Sequence, residues 1–211
     1  MKKLSIIAAC VALIGLLGGC GSNFDASGYV KALLDNSYKN DSTQFVSMKI
    51  GTADEASKLY EEGLDSEVSA MVSSMGYSVS DEQEQAIREV FAKILAGAKY
   101  TVGEAEKQDD GSYVVTVTYE QMEIFGPAID DYMDEIMEMQ AGLTGEETND
   151  ELVAMAIDAF KDVLDETLAN VSYADPETTT ITVELIDKVY TPDQNDLYDL
   201  EASLFDIDSV Y

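Results

Sequence analysis

The sequence predicts an α+β fold, in which N-terminal helices precede a small antiparallel sheet and helices pack mainly on one face of that sheet. Helix-start signals precede amphipathic segments in both halves of the chain. The spacing of apolar residues changes from helical to alternating in two places, which predicts a hairpin over residues 99–123 and a strand over residues 178–190. Strands and helices do not alternate regularly, so a doubly wound nucleotide-binding fold is not expected.

The N-terminal part of the predicted fold is helical. Asp25 suits the N-cap of a helix that runs to about Lys39, and a brief helical turn follows near residues 42–46. Capping boxes, in which Ser or Thr is followed three residues later by Glu or Gln, open helices over residues 52–76 and 80–97. Apolar residues repeat at steps of three and four in these helices, so each has one face for the core.

The predicted sheet begins with a hairpin. Residues 99–107 and 112–123 alternate in polarity, and the Asp-Asp-Gly sequence at residues 109–111 is typical of a hairpin turn. Four residues of the second strand share the side expected to face the core: Tyr113, Val115, Val117 and Tyr119.

The second half of the chain adds two helices, a strand and a terminal helix. Pro127 suits the first position of a helix that Gly142 interrupts, and a capping box at residues 148–151 opens a helix to about Asn170. Four apolar residues of the first helix are expected to point inward: Ile129, Met133, Ile136 and Met137. The strand over residues 178–190 has one apolar side: Ile181, Val183, Leu185 and Val189. Residues 191–194 cap a terminal helix with three core leucines: Leu197, Leu200 and Leu204.

The first twenty residues have the layout of a secretory signal, with Lys2 and Lys3 followed by an apolar run of 14 residues. This run is shorter than the roughly 20 residues that a membrane-spanning helix needs. Leu17-Gly18-Gly19-Cys20 resembles the lipobox of bacterial lipoproteins, which implies a signal peptide over residues 1–19 and a diacylglyceryl group, with fatty acids such as palmitate, on Cys20. Ordinary cleavage near Gly19 or Gly21, with Cys20 a bystander, and an uncleaved anchor are the alternatives.

The remaining chain is predicted to consist of a short tether over residues 20–24 and one α+β domain over residues 25–211. Cys10 lies inside the apolar run and leaves with the signal peptide, so the mature chain holds one cysteine and forms no internal disulfide. A lone cysteine on an exported protein is explained by acylation.

The composition excludes several classes of function. The chain has 42 acidic and 12 basic residues and a formal net charge of -30, which disfavours nucleic acid and anionic lipid surfaces as direct partners. It has no histidine, so histidine triads and histidine-containing zinc sites are excluded. No cofactor is expected.

Carboxylates are abundant enough to suggest the acid and base of a glycosidase. Glu123 at a strand end, with Asp130 and Asp131 on the following helix, is the most cleft-like group. Acids in a first helical turn also interact favourably with the positive helix end, and this explains the group without catalysis. No catalytic residue is therefore assigned.

A second group of oxygen ligands opens the terminal helix: Asp193, Asn195, Asp196 and Asp199. Calcium is the natural ion for such ligands in an exported protein. The group lacks the EF-hand pattern, because no Gly stands at the sixth position and Leu204 occupies the place of the bidentate Glu. Helix capping and solvated surface explain these residues better than a metal site.

Five methionines fall in the middle of the chain: Met122, Met133, Met137, Met139 and Met155. A methionine-lined groove can hold an apolar ligand or a peptide helix. Their helical spacing instead predicts that most of them belong to the core.

Three stretches carry a family resemblance: YVKALLDNSYKND, LYEEGLD and AKYTVGEAEKQDDGSYVVTVTYEQMEIF. In these the chain resembles a group of uncharacterised small lipoproteins from Gram-positive bacteria, over most of its length from about residue 25. The group lends no activity to this protein. The element order also resembles, in architecture alone, cystatin-like and nuclear-transport-factor-like folds, which host both enzymes and binding modules.

The function expected from these observations is that of a non-enzymatic domain, tethered to the extracytoplasmic face of the cell membrane, which binds a ligand or another envelope protein. A carboxylate-dependent hydrolase acting on glycan and a structural envelope protein are the alternatives. A deep cleft with two acids would favour the hydrolase. An exposed apolar groove would favour binding, and a smooth polar surface would favour the structural role.

Overall fold

A computed structural model describes residues 24–75 and 79–206 of the chain. The N-terminal elements are α1 (Ala26–Lys39), α2 (Thr43–Ser47), α3 (Ala53–Met75), α4 (Asp81–Ala96), β1 (Lys99–Lys107) and β2 (Tyr113–Glu120). The C-terminal elements are β3 (Met122–Glu123), α5 (Phe125–Gly142), α6 (Asn149–Ala169), β4 (Ser172–Tyr173), β5 (Glu177–Ile186), β6 (Val189–Pro192) and α7 (Gln194–Leu204). The predicted end of the second long helix, at Gly76, lies outside the described residues.

The main sheet has four antiparallel strands in the order β1-β2-β5-β6. β2 lies in the interior of this sheet, and its residues alternate between buried and half-buried, with Val115 and Val117 fully buried. Ile181 and Val183 of the neighbouring β5 are equally buried. Helices cover this apolar face, so the predicted α+β fold with a small antiparallel sheet is confirmed.

α1 is the central helix of the core. Asp25 caps it by accepting a hydrogen bond from the Gly28 amide at 2.8 Å, as its position before the apolar pattern predicted. Eleven of its 14 residues are buried, because α1 packs against β1 and β2 as well as against α3 and α4. Tyr29 donates a hydrogen bond from its hydroxyl to the Tyr190 carbonyl at 2.9 Å, which ties α1 to β6.

α5 and α6 form a helical hairpin at one side of this core. α6 packs on α4, where Lys93 forms an ion pair with Asp165 at 2.6 Å, and α5 packs mainly on α6. The rings of Tyr132 and Phe160 meet edge to face at 5.5 Å between α5 and α6. We call this hairpin, residues 125–169, the acidic arm.

The predicted single strand over residues 178–190 is wrong, because the segment is the hairpin β5–β6. Its turn residues Asp187 and Lys188 have φ values of 50° and 71°, as a two-residue hairpin turn with left-handed backbone requires. Asp-Lys lacks the Asn-Gly or Asp-Gly signal of such turns, so this turn was not predictable from the residue types. Leu185, predicted to face the core, lies beside this turn and is 53% exposed.

Two other predicted boundaries move by a few residues. The strand predicted to reach residue 123 ends at Glu120, and after Gln121 the residues Met122–Glu123 form β3, which pairs with β4 in a separate small sheet. α5 begins at Phe125, two residues before the predicted start at Pro127. The capping boxes that open α3, α4 and α6 are all formed.

Candidate functional site

The outward surface of α5 carries a stripe of large apolar side chains. Ile129, Met133 and Met137 are spaced four residues apart, and they are 37%, 58% and 59% exposed. Successive residues of a helix are turned by about 100°, so these three side chains lie along one face. We call them the α5 stripe.

The prediction that these three residues point inward is wrong. The half-buried and buried side of α5 is formed by Ala128, Tyr132, Ile136 and Met139. This side packs on α6. Each stripe residue comes one position after a member of this side, so the stripe is rotated from it by roughly 100° around the helix axis. α5 packs mainly on one neighbouring helix, so only part of its apolar surface is covered.

The other methionines divide between core and surface. Met122 is fully buried, which confirms the core interpretation for that residue. Met139 is half-buried and Met155 is 40% exposed, and both line a groove between α5 and α6. The expectation that most of the five methionines belong to the core is therefore wrong.

The groove between α5 and α6 has a volume of about 370 Å³. Met139, Met155, Ala159 and Val163 provide its apolar lining. Its remaining lining residues are carboxylates: Glu135, Asp158, Asp162 and Glu166. The arm thus has two apolar surfaces, and acidic side chains accompany both.

The acidic arm carries a large excess of negative charge. α5 carries five carboxylates and no lysine or arginine, and α6 carries six carboxylates and one lysine. That lysine, Lys161, is already paired with Asp162 at 3.2 Å and with Asp165 at 3.1 Å. A hydrogen bond from Lys93, assisted by Lys161, lowers the pKa of Asp165. The arm therefore presents negative potential beside exposed apolar side chains.

The acids considered for glycoside hydrolysis lie on an open surface. Glu123, Asp130 and Asp131 are all exposed. The Glu123 carboxylate accepts a hydrogen bond from the Ser172 hydroxyl, which joins β3 to β4. Asp130 and Asp131 lie in the first half of α5.

Two of the four residues considered for calcium, Asp193 and Asp196, use their carboxylates to accept hydrogen bonds from backbone amides. Asp193 is the N-cap of α7 and accepts hydrogen bonds from the amides of Asn195 and Asp196, at 2.8 and 3.1 Å. The Asp196 carboxylate accepts a hydrogen bond from the Thr182 amide at 2.8 Å, which fixes α7 on β5. Within residues 24–75 and 79–206, no three or more acidic or cysteine side chains are arranged to hold a metal ion.

Sequence reasoning missed a buried carboxylate. Glu67 of α3 has its Oε1 atom buried, and no described residue donates a hydrogen bond to it. Burial, followed by the negative charge of the buried Glu201 on α7, raises the pKa of Glu67 from its ordinary value of 4.5 to about 8. The signal was available, because Glu67 lies at helical spacing from the buried Leu64 and Glu201 lies four residues after the buried Leu197.

The chain was compared with known proteins. No protein-family model and no curated protein matches it. Among solved structures it is similar to YcdA, a protein of Bacillus subtilis described as a candidate lipoprotein, with a TM-score of 0.60 and 15% sequence identity. The match covers 86% of this chain and 56% of YcdA, so the chain spans little more than half of that protein. A likeness at this identity shows a shared fold.

The described part of the chain was also searched for membrane-crossing segments. None of the helices in residues 24–75 and 79–206 combines the length and the apolarity that crossing a membrane requires. Cys20 and the predicted signal peptide lie outside these residues, so lipidation of Cys20 stays a prediction.

Proposed function

We propose that this protein is a lipoprotein, anchored on the extracytoplasmic face of the membrane through Cys20, which binds another protein through its acidic arm. The observation that carries the binding role is the α5 stripe. Met133 and Met137 each expose more than half of their surface beside one another on a helix. Contiguous exposed apolar surface of this kind is typical of interaction sites.

The exposed apolar residues of the β5–β6 hairpin do not form such a surface. Leu185 and Ile186 are 53% and 50% exposed, but they are consecutive residues of a strand. Their side chains therefore point to opposite faces of the sheet. The α5 stripe differs because its three members share one helical face, where a partner can contact all of them together.

The anchor is supported by the sequence that precedes the fold. Phe24, four residues after Cys20 in the sequence, stacks on the ring of Tyr190 with centroids 3.5 Å apart. A chain acylated at Cys20 would hold this domain on a short tether. The description of YcdA as a candidate lipoprotein agrees with this proposal. No residue is assigned a catalytic role.

The binding role is tested by site-specific photo-crosslinking in the native host. A photoactivatable amino acid is placed in the full-length chain at position 133 or 137, and at position 185 or 186 as a control of similar exposure. We expect a discrete crosslinked product from the two stripe positions and none from the hairpin positions. Equal products from both pairs, or none from the stripe, would contradict the arm as the binding surface.

A further inference from the structure

The α5 stripe is flanked by negative charge that is not neutralised within its own helix. Asp130 follows Ile129 and Asp134 follows Met133, so each carboxylate lies beside the stripe on the exposed side of α5. α5 contains no basic residue. A partner that covers the stripe must therefore accommodate carboxylates along the edge of the contact.

This charge argues against two other occupants. A second copy of the chain would bring another helix with five carboxylates against the first, and each chain carries a net charge of -30. Like charges that face each other across an interface oppose association. An anionic lipid surface is disfavoured for the same reason.

The shape of the stripe suits a helix. From Ile129 to Met137 it extends for eight residues, which is about 12 Å along the helix axis, or roughly two turns. Two packed helices contact each other over such a distance through side chains spaced three and four residues apart. Methionine side chains are flexible and adapt to differently shaped apolar partners.

We propose that the α5 stripe is the docking site for a cationic amphipathic helix of another protein. The apolar face of that helix covers Ile129, Met133 and Met137, and its lysine or arginine side chains lie beside Asp130 and Asp134. This inference rests on the proposed function, because it names the class of partner that the acidic arm binds. Opposite charge along the edge of the contact selects such partners and accelerates association.

The test uses the full chain in phosphatidylcholine nanodiscs. The probe is a synthetic helical peptide of leucine and lysine, arranged so that the leucines lie on one face of the helix and the lysines on the other. The binding signal from empty nanodiscs is subtracted, so that binding of the peptide to lipid does not contribute to the measured affinity. We expect the amphipathic leucine-lysine peptide to bind, and its affinity to fall as salt is added. A leucine-glutamate peptide of the same pattern, and a leucine-lysine peptide in non-amphipathic order, should bind at least about tenfold more weakly.

Variants then locate the contact. The double variant Met133→Ser with Met137→Ser should weaken the binding of the cationic peptide about tenfold or more. Apolar side chains at the centre of an interface contribute most of the binding energy, so their truncation causes the largest losses of affinity. Leu185→Ser with Ile186→Ser removes similar exposed apolar surface and should leave the affinity unchanged. Asp130→Asn with Asp134→Asn should weaken binding about threefold to tenfold and reduce its salt dependence. Glu104→Gln with Glu106→Gln, on exposed positions of β1, is the matched charge control.

Three results would overturn the inference: no binding of the cationic peptide, equal binding of the acidic peptide, or equal losses of affinity in the stripe and control variants.

Crosslinking from position 133 distinguishes this inference from the proposed binding function. Crosslinks without peptide binding would reject the cationic helix as the partner and leave the arm as a binding surface. Absence of both would reject the proposed binding function itself.

Discussion

Replacing Cys20 by alanine is expected to abolish acylation of the protein and its anchoring through lipid. Two acyl chains contribute about 0.8 kcal/mol for each buried CH₂ group, which is enough for stable anchoring. The rest of the chain provides no electrostatic substitute. The full sequence has a net charge of -30, and residues 1–19 contain Lys2, Lys3 and no acid, so the remainder carries -32 and is repelled by anionic lipid. The Cys20→Ala protein should therefore carry no fatty-acid label, and it should appear in the medium or as an unprocessed precursor.

Cys10→Ala is the matched control for this experiment. It removes the other cysteine, which lies in the apolar run of the predicted signal peptide. We expect normal labelling and normal membrane retention, because Cys10 lies in residues 1–19, the segment that the proposed maturation removes. Unchanged labelling of the Cys20→Ala protein, or loss of the label in the Cys10→Ala protein, would contradict the assignment of Cys20.

Replacing Glu67 by glutamine is expected to stabilise the fold at alkaline pH. The pKa of Glu67 in the folded chain is about 8, against an ordinary value of 4.5. The folded state therefore holds a proton that the unfolded state has lost between these pH values, so the free energy of unfolding decreases as pH rises through this range. Above about pH 8, ionised Glu67 is buried close to Glu201, and the destabilisation is complete.

In the Glu67→Gln variant, the new side chain has a shape similar to that of glutamate and carries no charge. The variant therefore lacks this pH dependence of the free energy of unfolding. At about pH 9 we expect the variant to be more stable than the parent by on the order of 3 kcal/mol, and near pH 5 by less than about 1 kcal/mol. Urea unfolding at both pH values measures the difference. Glu104→Gln, which removes one exposed charge, controls for net charge. A variant that is less stable than the parent at alkaline pH would show that the Glu67 carboxylate is stabilising.

Features that depend on neighbouring residues were predictable from the sequence. The Ser80 and Thr148 capping boxes are closed by side chains three residues away, and both helices begin where those residues predicted. The alternation of buried and half-buried residues along β2 could also be predicted from neighbouring residues, because successive side chains point to opposite faces of the strand and one face packs on the core. The α+β class followed from the order of such segments.

Features that depend on the number of packing neighbours were not predictable. Met133 and Met137 have the spacing of core residues, but α5 packs mainly on α6 and leaves them exposed. The candidate binding surface therefore emerged only from the three-dimensional structure. The opposite case is Glu67, which was not singled out although its spacing from the buried Leu64 placed it beside the core. Its Oε1 atom is buried, and burial followed by the charge of Glu201 raises its pKa.

The mass of the mature N-terminal peptide tests the proposed anchor at Cys20 most directly. Protein is isolated from membranes of the native host, digested and examined by mass spectrometry. We expect a peptide that begins at Cys20 and carries a diacylglyceryl group on its sulfur. A peptide that begins at Gly21 or Ser22, a free thiol on Cys20, or a retained Met1 would contradict the proposed anchor.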